Sequence, residues 1–315
     1  MRTDSEFFQV ADGTRLFLYR WQPEAGVALR GAVQIAHGMA EHAGRYERVA
    51  RALTEAGFIV YANDHRGHGK TAGDPKRVGF FAESGGWEKV VDDLHQLTAR
   101  IRREHPGLPV ILFGHSMGSL LSRHDMVLHG EELAGVILSG TTGDPGLLGA
   151  AGRVAARATA ALKGARTPSP LLDTLTFGAF NKAFAPARTR FDWLSRDAAE
   201  VDKYVADPFC GAIFSAEFFC DLLRGLRFIN DPANLARIPK TLPVYLFSGA
   251  LDPAGAQTRG VRQVHEALQR AGLKSLTLRF YPEARHEMLN ETNWEEVHRD
   301  VLAWLEPVVA RVKHP

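Results

Sequence analysis

The strongest constraint on the fold is a short apolar run that leads directly into a Gly-x-Ser-x-Gly sequence. The run covers residues 110–113, and the glycine-serine sequence follows at residues 114–118. Apolar residues at helical spacing come next, so the sequence predicts a buried strand, a sharp turn at Ser116 and a helix. Such a turn holds the serine in a strained backbone conformation and lifts its hydroxyl above the edge of the sheet.

The same turn points to nucleophilic chemistry. The hydroxyl of Ser116 would stand clear of the sheet, and the backbone N–H of Met117 would lie at the N-terminus of the following helix. One turn thus offers a nucleophile and one donor of an oxyanion hole, which stabilises the charge on a carbonyl oxygen under attack. The motif also occurs in tight turns without chemistry, so the rest of the chain must supply a base, an acid and a second donor.

Further apolar runs alternate with segments whose apolar residues have helical spacing. This alternation predicts an α/β fold with a mostly parallel, doubly wound sheet that helices cover on both faces. Residues 6–21 alternate in polarity around Asp12-Gly13, which predicts an N-terminal antiparallel hairpin. The apolar runs of the parallel part lie at residues 31–36, 58–62, 109–115, 135–139, 243–249 and 276–281.

The alternation stops between residues 143 and 236, where helical and aromatic-rich segments take its place. We expect an inserted α-helical cap at 143–236 on an α/β core made of residues 1–142 and 237–315. Two aromatic groups in the cap could bury an acyl chain or could only dock the cap on the core, and both interpretations stay open. They comprise Phe177, Phe180, Phe184, Phe191 and Trp193, and then Phe214, Phe218, Phe219 and Phe228 with intervening leucines.

Polar residues just beyond two later strands complete a catalytic constellation. Asp252 follows the strand at 243–249, and His286 follows the strand at 276–281. Because the carboxyl ends of parallel strands share one edge of a sheet, both should lie near Ser116, in the chain order Ser, Asp, His of α/β-hydrolases. We expect His286 to take the proton of Ser116, and Asp252 to hold the imidazole in the required tautomer.

The loop after the first parallel strand, residues 37–42, is expected to supply the second oxyanion donor. Gly38 permits a sharp turn there, which leaves the backbone N–H of Met39 to pair with that of Met117. The side chains of both methionines would then only line the site.

Several histidines in the loops resemble metal ligands at first sight. We do not expect His37 and His42 to be metal ligands, and for His65 and His68 we expect hydrogen bonds that order the loop, with Asp64 accepting from backbone N–H groups. Neither a carboxylate nor a cysteine stands at ligand spacing with them on a shared element, so we expect no metal.

Composition excludes several classes of protein. Lys and Arg number 38 against 36 Asp and Glu, a balance too even to suggest nucleic acid as a partner. The sequence shows neither a signal peptide nor an apolar run long enough to span a bilayer, which indicates a cytoplasmic protein. In that compartment Cys210 and Cys220 would be free thiols.

The cap sequence allows one kind of membrane contact. Between Asp144 and Asp173 there is no acidic residue, whereas Arg and Lys recur among Ala and Leu. Such a helix could rest transiently on an anionic membrane or micelle surface, or it could be an ordinary solvated face. The basic residues are Arg153, Arg157, Lys163 and Arg166.

Together these residues resemble the monoacylglycerol lipase and lysophospholipase branch of the α/β-hydrolases. The resemblance implies an ester hydrolase with a helical cap and no cofactor, acting on single-chain lipids. It also implies that Glu41 and Arg45 lie near the polar end of the substrate. The segments that carry it are 37–42 with Arg45-Tyr46, 64–69, 114–118, 193–196 and 201–208.

Other functions remain compatible with the same residues. A small-ester esterase, a thioesterase or a prolyl aminopeptidase can use this scaffold, and a ligand receptor can keep a hydrolase pocket without catalysis. The sequence leaves the acyl-chain length, the physiological ester and the oligomeric state open.

Overall fold

A computed structural model describes residues 1–313 and shows one sheet of eight strands. The strands are β1 (Arg2–Gln9), β2 (Arg15–Gln22), β3 (Gly31–Ala36), β4 (Phe58–Asn63), β5 (Val110–His115), β6 (Gly135–Ser139), β7 (Val244–Gly249) and β8 (Leu276–Tyr281). Their order in the sheet is β1-β2-β4-β3-β5-β6-β7-β8. The β1–β2 and β2–β4 pairs are antiparallel and the others are parallel, which confirms the predicted α/β-hydrolase fold.

Helices connect the strands and also fill the stretch between β6 and β7. They are α1 (Glu47–Glu55), α2 (Gly69–Ala72), α3 (Gly86–Glu104), α4 (Met117–His129), α5 (Gly146–Lys163), α6 (Pro170–Phe177), α7 (Ala198–Ala206), α8 (Ala216–Asn230), α9 (Pro232–Leu235), α10 (Arg259–Arg270) and α11 (Trp294–Lys313). Short 3₁₀ turns lie at Ala43–Tyr46, Pro75–Arg77, Gly130–Glu132, Phe180–Phe184 and Met288–Asn290. Helices α5 to α9 fall within 143–236, and residues 314–315 of the expected core lie outside the described residues.

Helices cover both faces of the sheet, which explains why its central strands coincide with the apolar runs of the sequence. Every residue of β3 to β7 is buried, as expected for parallel strands between two layers of helices. Along β3, Val33 and Ile35 belong to the core cluster that includes residues of α1 and α11, whereas Ala32 belongs to the cluster that includes residues of α3 and α10. The core therefore has two halves, one on each face of the sheet.

The N-terminal hairpin is longer than the sequence pattern indicates. Its pairing begins at Arg2 opposite Gln22, although residues 2–6 are polar and exposed. An edge strand that faces water on both sides needs no apolar alternation, because its backbone pairing alone places it.

The two aromatic groups of the cap have different roles. Phe214, Phe218 and Phe219 are buried against Trp87 of α3 and Leu121 of α4, so this group docks the cap on the core. The other group gathers around Trp193, above the carboxyl edge of the sheet. Among the helices of residues 1–313, none has both the length and the apolarity that crossing a membrane requires.

Candidate active site

The serine of the Gly-x-Ser-x-Gly sequence lies at the turn from β5 into α4. Its backbone has φ 50° and ψ −120°, a strained conformation for a residue with a side chain. A Cβ atom at Gly114 would lie 2.4 Å from the carbonyl oxygen of Gly118, and one at Gly118 would lie 2.0 Å from that of Ala36. Both glycines are therefore needed for the strands and the helix to approach this closely.

Three side chains that are far apart in the sequence meet above this turn. Nε2 of His286 is 2.9 Å from Oγ of Ser116, and Nδ1 of His286 is 2.9 Å from Oδ2 of Asp252. Asp252 follows β7 and His286 follows β8, so the neighbouring parallel strands deliver both to the edge where β5 ends. The structure thus brings together the three residues that the sequence singled out, at hydrogen-bonding distance.

Asp252 is buried and held in place by further hydrogen bonds. Its Oδ2 accepts from the hydroxyl of Ser248 at 3.1 Å, and its Oδ1 accepts from the backbone N–H of Ala254 at 2.9 Å. Burial by itself would raise the pKa of Asp252, but His286 and these donors lower it below the ordinary 3.8. An ionised carboxylate on Nδ1 fixes the tautomer in which Nε2 can accept a proton from Ser116.

The charge around His286 favours its protonated form. Burial by itself would lower the pKa of the imidazole, but Asp252, together with Glu287 and Glu41, raises it above 6.5. The imidazolium that forms when His286 takes a proton is therefore stabilised by the site.

The segment between β6 and β7 lies directly against His286. The ring centroid of Trp193 is 5.0 Å from that of His286, and the carbonyl oxygen of Trp193 accepts the backbone N–H of His286 at 3.4 Å. The carbonyl oxygen of Leu194 accepts the N–H of Glu287 at 2.7 Å. The contact of Trp193 with His286 could not be predicted, because no local pattern shows which distant loop an aromatic ring will cover.

The loop at 37–42 lies against the serine. A Cβ atom at Gly38 would be 3.2 Å from Cβ of Ser116, and Gly38, Met39 and Glu41 all line the cavity above the serine. Met117 opens α4 immediately after Ser116. The two backbone N–H groups predicted for an oxyanion hole, those of Met39 and Met117, thus belong to residues that flank the serine.

Glu41 and Arg45 form part of a buried ionic network. Glu41 accepts from the backbone N–H of Gly38 at 2.6 Å and from the hydroxyl of Tyr46 at 2.8 Å. Arg45 donates to Glu41 at 2.6 Å and also binds Glu287. Glu41 lines the cavity but Arg45 does not, and Glu287 is a member of this network that sequence reasoning missed. Its position directly after His286 was the available signal.

Of the two histidines expected to order their loop, His68 does so through its ring, as predicted, whereas both ring nitrogens of His65 lack a hydrogen-bond partner among the described residues, so the prediction is wrong for His65. Nε2 of His37 accepts from the N–H of His65 at 3.0 Å, and Nδ1 of His68 lies 2.9 Å from the carbonyl oxygen of Arg66. Asp64 accepts from the backbone N–H groups of residues 43 and 70, at 2.8 and 2.7 Å.

Two groups of side chains within residues 1–313 have donor atoms close enough for a metal ion. One comprises His42, Asp207 and Cys210, and the other comprises His95, His129 and Glu132. His42 already pairs with Asp207 at 2.9 Å, and Glu132 already pairs with Arg102. We assign a metal to neither group. Cys210 and Cys220 are free and half-buried.

A cavity of about 400 Å³ opens above Ser116 and His286. Core residues form its floor, and cap residues form the wall that faces them. The wall includes the apolar side chains of Phe177, Phe191, Trp193 and Leu194 and the polar side chains of Asp173, Thr174, Asn181 and Arg190. Such a volume and lining suit a small organic molecule with an apolar portion.

Comparisons with known proteins identify the family of this chain. Residues 28–293 match the Hydrolase_4 family, described as serine aminopeptidase, S33. A monoacylglycerol lipase of Mycolicibacterium smegmatis is 30% identical over 306 residues, covering 96% of this chain and 97% of that protein. The human monoglyceride lipase is 29% identical, covering 89% and 82% respectively.

A solved structure extends the likeness to three dimensions. A highly thermostable carboxyl esterase from Bacillus coagulans, in complex with glycerol, superposes with a TM-score of 0.90 at 27% identity, covering 98% of this chain and 99% of that one. The chain therefore belongs to the Hydrolase_4 (serine aminopeptidase, S33) family of α/β-hydrolases, and it is a serine hydrolase of the esterase and lipase class.

Proposed function

We propose that the protein hydrolyses monoacylglycerols and similar single-chain lipid esters through an acyl-enzyme on Ser116. The observation that carries the proposal is the hydrogen-bonded series Ser116, His286 and Asp252 at the floor of a largely apolar cavity. The relatives named monoacylglycerol lipase and monoglyceride lipase support the choice of substrate.

In the proposed mechanism, the ester carbonyl carbon is attacked by Oγ of Ser116 while Nε2 of His286 takes the hydroxyl proton. The backbone N–H groups of Met39 and Met117 stabilise the resulting oxyanion. The tetrahedral intermediate collapses to an acyl-serine, and His286 returns the proton to the departing alcohol. Water then attacks the acyl-serine in the same way, which releases the acid and restores the hydroxyl.

The acyl chain is proposed to lie along the aromatic wall of the cap. Each methylene that leaves water contributes about 0.8 kcal/mol, so eight methylenes would contribute roughly 6 kcal/mol. Phe177 and Trp193 supply much of this wall, and their rings stack with centroids 6.2 Å apart. We therefore propose a preference for medium or long acyl chains over acetyl esters.

A chain-length series tests this preference. For monoacylglycerols with acyl chains of increasing length, we expect kcat/KM to exceed that of the acetyl ester on the order of 100-fold or more. Phe177→Ala should weaken the preference, whereas Phe184→Ala, which changes the same aromatic cluster away from the cavity, should preserve it. The measurement is kcat/KM for each chain length in each variant.

The same assay separates the alternative functions. Lysophospholipids, thioesters and N-terminal prolyl peptides are measured beside the glycerol esters. Turnover of short esters alone would contradict the lipid substrate and leave an ester hydrolase. Preferred cleavage of thioesters or prolyl peptides would replace the proposed reaction. A receptor that kept the pocket would turn over none of these substrates.

We also propose residues 143–236 as a cap that touches a membrane or micelle surface during turnover. Leu147, Leu148, Val154 and Leu162 of α5 are between 70% and 90% exposed. At 100° per residue they share about a third of the helix circumference, opposite the buried Ala156. Arginine and lysine flank this apolar stripe, a pattern that suits an anionic lipid surface.

Sedimentation with vesicles that contain anionic lipid tests this contact. We expect wild-type protein to pellet with them, and a variant with Leu148→Glu and Leu162→Glu to stay largely in the supernatant, because charge on the stripe opposes burial in lipid. A control with Leu128→Glu and Leu251→Glu changes two exposed leucines outside the cap and should pellet like wild type. Wild-type protein that remains in the supernatant would contradict the proposed contact.

A further inference from the structure

A buried ionic bridge connects the loop at 37–42 with the loop that carries His286. Arg45 lies at its centre. One of its nitrogens, Nη1, donates to Oε2 of Glu41 and to Oε1 of Glu287, each at 2.6 Å, and Nη2 donates to Oε2 of Glu287 at 2.7 Å. Residues 45 and 287 are 242 positions apart, so this contact exists only in the folded chain.

Each end of the bridge reaches a group of the proposed reaction. At one end Oε1 of Glu41 accepts the backbone N–H of Gly38 at 2.6 Å, and Gly38 directly precedes the proposed oxyanion donor Met39. At the other end Glu287 directly follows His286, the proposed base. The hydrogen-bonded series Gly38, Glu41, Arg45, Glu287 therefore runs from the residue before the proposed oxyanion donor to the residue after the proposed base.

Two residues of the segment between β6 and β7, Tyr204 and Leu194, contact the bridge and its neighbours. The guanidinium of Arg45 lies 4.8 Å from the ring centroid of Tyr204, whose hydroxyl donates to the carbonyl oxygen of Ala40 at 2.8 Å. The backbone N–H of Glu287 donates to the carbonyl oxygen of Leu194 at 2.7 Å. Asn290 adds a donor to Oε2 of Glu287 at 3.0 Å. These contacts leave the bridge little freedom to move.

Arg45 keeps the carboxylate of Glu287 charged despite its burial. Burial by itself would raise the pKa of Glu287, but Arg45 lowers it to about 2, so this carboxylate is ionised at neutral pH. Glu41 and His115 face Glu287, and Tyr46 and Tyr204 face Arg45. A buried ion pair is often no more stabilising than apolar side chains of similar volume, so stability alone is a poor reason for it.

We propose that Arg45 and Glu287 are positioning residues that hold the oxyanion donor Met39 and the base His286 at a fixed separation around Ser116. This inference rests on the proposed function. In this role Arg45 and Glu287 act on the catalytic groups and need not contact the substrate. Displacing catalytic groups by about 1 Å can cost on the order of 100-fold in rate, so a loosened bridge should slow the chemical steps.

Two substitutions at one position separate geometry from charge. Glu287→Gln keeps the length of the side chain and removes its charge, whereas Glu287→Asp keeps the charge and loses the reach for a two-point contact with Arg45. We expect kcat to fall about 10- to 100-fold in both, with KM within about twofold of wild type.

The pH dependence of kcat/KM distinguishes the two variants. Its acid limb, where activity is lost as His286 becomes protonated, should move to lower pH in the Gln variant, because the protonated imidazole loses a nearby negative charge. In the Asp variant the acid limb should stay in place.

Glu291→Gln is the matched control. Glu291 is buried in the same segment, pairs with Arg196 of the cap at 2.9 Å and accepts the backbone N–H of Arg285 at 2.8 Å, but it makes no hydrogen bond to Arg45. Glutamine keeps an oxygen that can accept the N–H of Arg285, so the substitution removes only the charge. We expect this control to lower the melting temperature and to leave kcat and the acid limb near wild type. An equal loss of kcat in the control would show general loosening of the loop and overturn the proposal. Wild-type kcat in Glu287→Asp, or a rise in KM with unchanged kcat, would overturn it as well.

Two further measurements keep the test decisive. If Glu287→Gln does not unfold cooperatively, Arg45→Lys replaces it, because lysine keeps the charge and cannot form the two-point contact. The same loss of kcat is expected, and wild-type kcat would overturn the proposal.

The rate at which a fluorophosphonate labels Ser116 is measured beside ester turnover, since labelling needs the nucleophile, base and oxyanion donors but no ester. Slow labelling in the Glu287 variants supports the bridge even if wild type cleaves a different substrate, while unlabelled wild type refutes the proposed function itself.

Discussion

Replacing Ser116 with alanine is expected to reduce kcat/KM for ester hydrolysis on the order of 10⁴- to 10⁶-fold. The reason is that Oγ of Ser116 is the only atom of the proposed series that forms a bond to the substrate. His286 and Asp252 keep their own hydrogen bond in the variant, but without the serine hydroxyl their proton transfer has no nucleophile to activate. Initial rates on a medium-chain monoacylglycerol measure the effect.

The folded state should survive this substitution. Alanine at position 116 keeps the same backbone, and the strain at φ 50° is already present with serine. Ser122→Ala removes another hydroxyl of α4, one that donates to the carbonyl oxygen of Gly118, and should keep activity within about threefold of wild type. Substantial turnover by pure Ser116→Ala protein would exclude an acyl-enzyme on this residue.

Replacing Asp252 with asparagine is expected to lower kcat on the order of 10³- to 10⁴-fold. The amide is nearly isosteric, but it can present its NH₂ to Nδ1 of His286 and thereby favour the tautomer whose proton lies on Nε2, facing Ser116. It also removes the charge that stabilises the imidazolium. Steady-state kinetics across pH, with thermal melts to confirm folding, measure the loss.

Ser248→Ala provides the control for Asp252. It deletes one hydrogen bond to the carboxylate, at 3.1 Å, and leaves its charge and its bond to His286. A loss of less than about tenfold is expected, in keeping with one neutral hydrogen bond. If Asp252→Asn were as active as Ser248→Ala, the orienting role of Asp252 would be wrong.

The fold could be predicted where burial of a strand or helix produces a recognisable pattern of apolar residues along the chain. Strand β3 has the predicted bounds of 31–36, because a strand buried on both faces is almost wholly apolar. Its one polar side chain, Gln34, donates to the carbonyl oxygen of Leu94 and accepts from the hydroxyl of Thr98. The positions of Ser116, Asp252 and His286 also followed, since parallel strands deliver their carboxyl ends to one edge. Backbone topology alone was enough to place these three residues near one another.

Features that depend on contacts between distant segments could not be predicted from the sequence. The polarity of residues 2–6 does not indicate a strand, because their pairing with β2 needs no apolar face. Composition could not show that the Trp193 group lies over His286 whereas the Phe218 group docks the cap. The two-point contact between Arg45 and Glu287 joins loops at opposite ends of the chain, and no local pattern encodes it.

Identifying the residue that becomes covalently modified tests the central claim most directly. Wild-type protein is treated with a fluorophosphonate, digested and analysed by mass spectrometry, while the residual activity on a monoacylglycerol is followed in the same sample. A single adduct on Ser116, formed in step with the loss of activity, is the expected result. Full activity in completely labelled protein, or inactivation through an adduct on another residue, would contradict it.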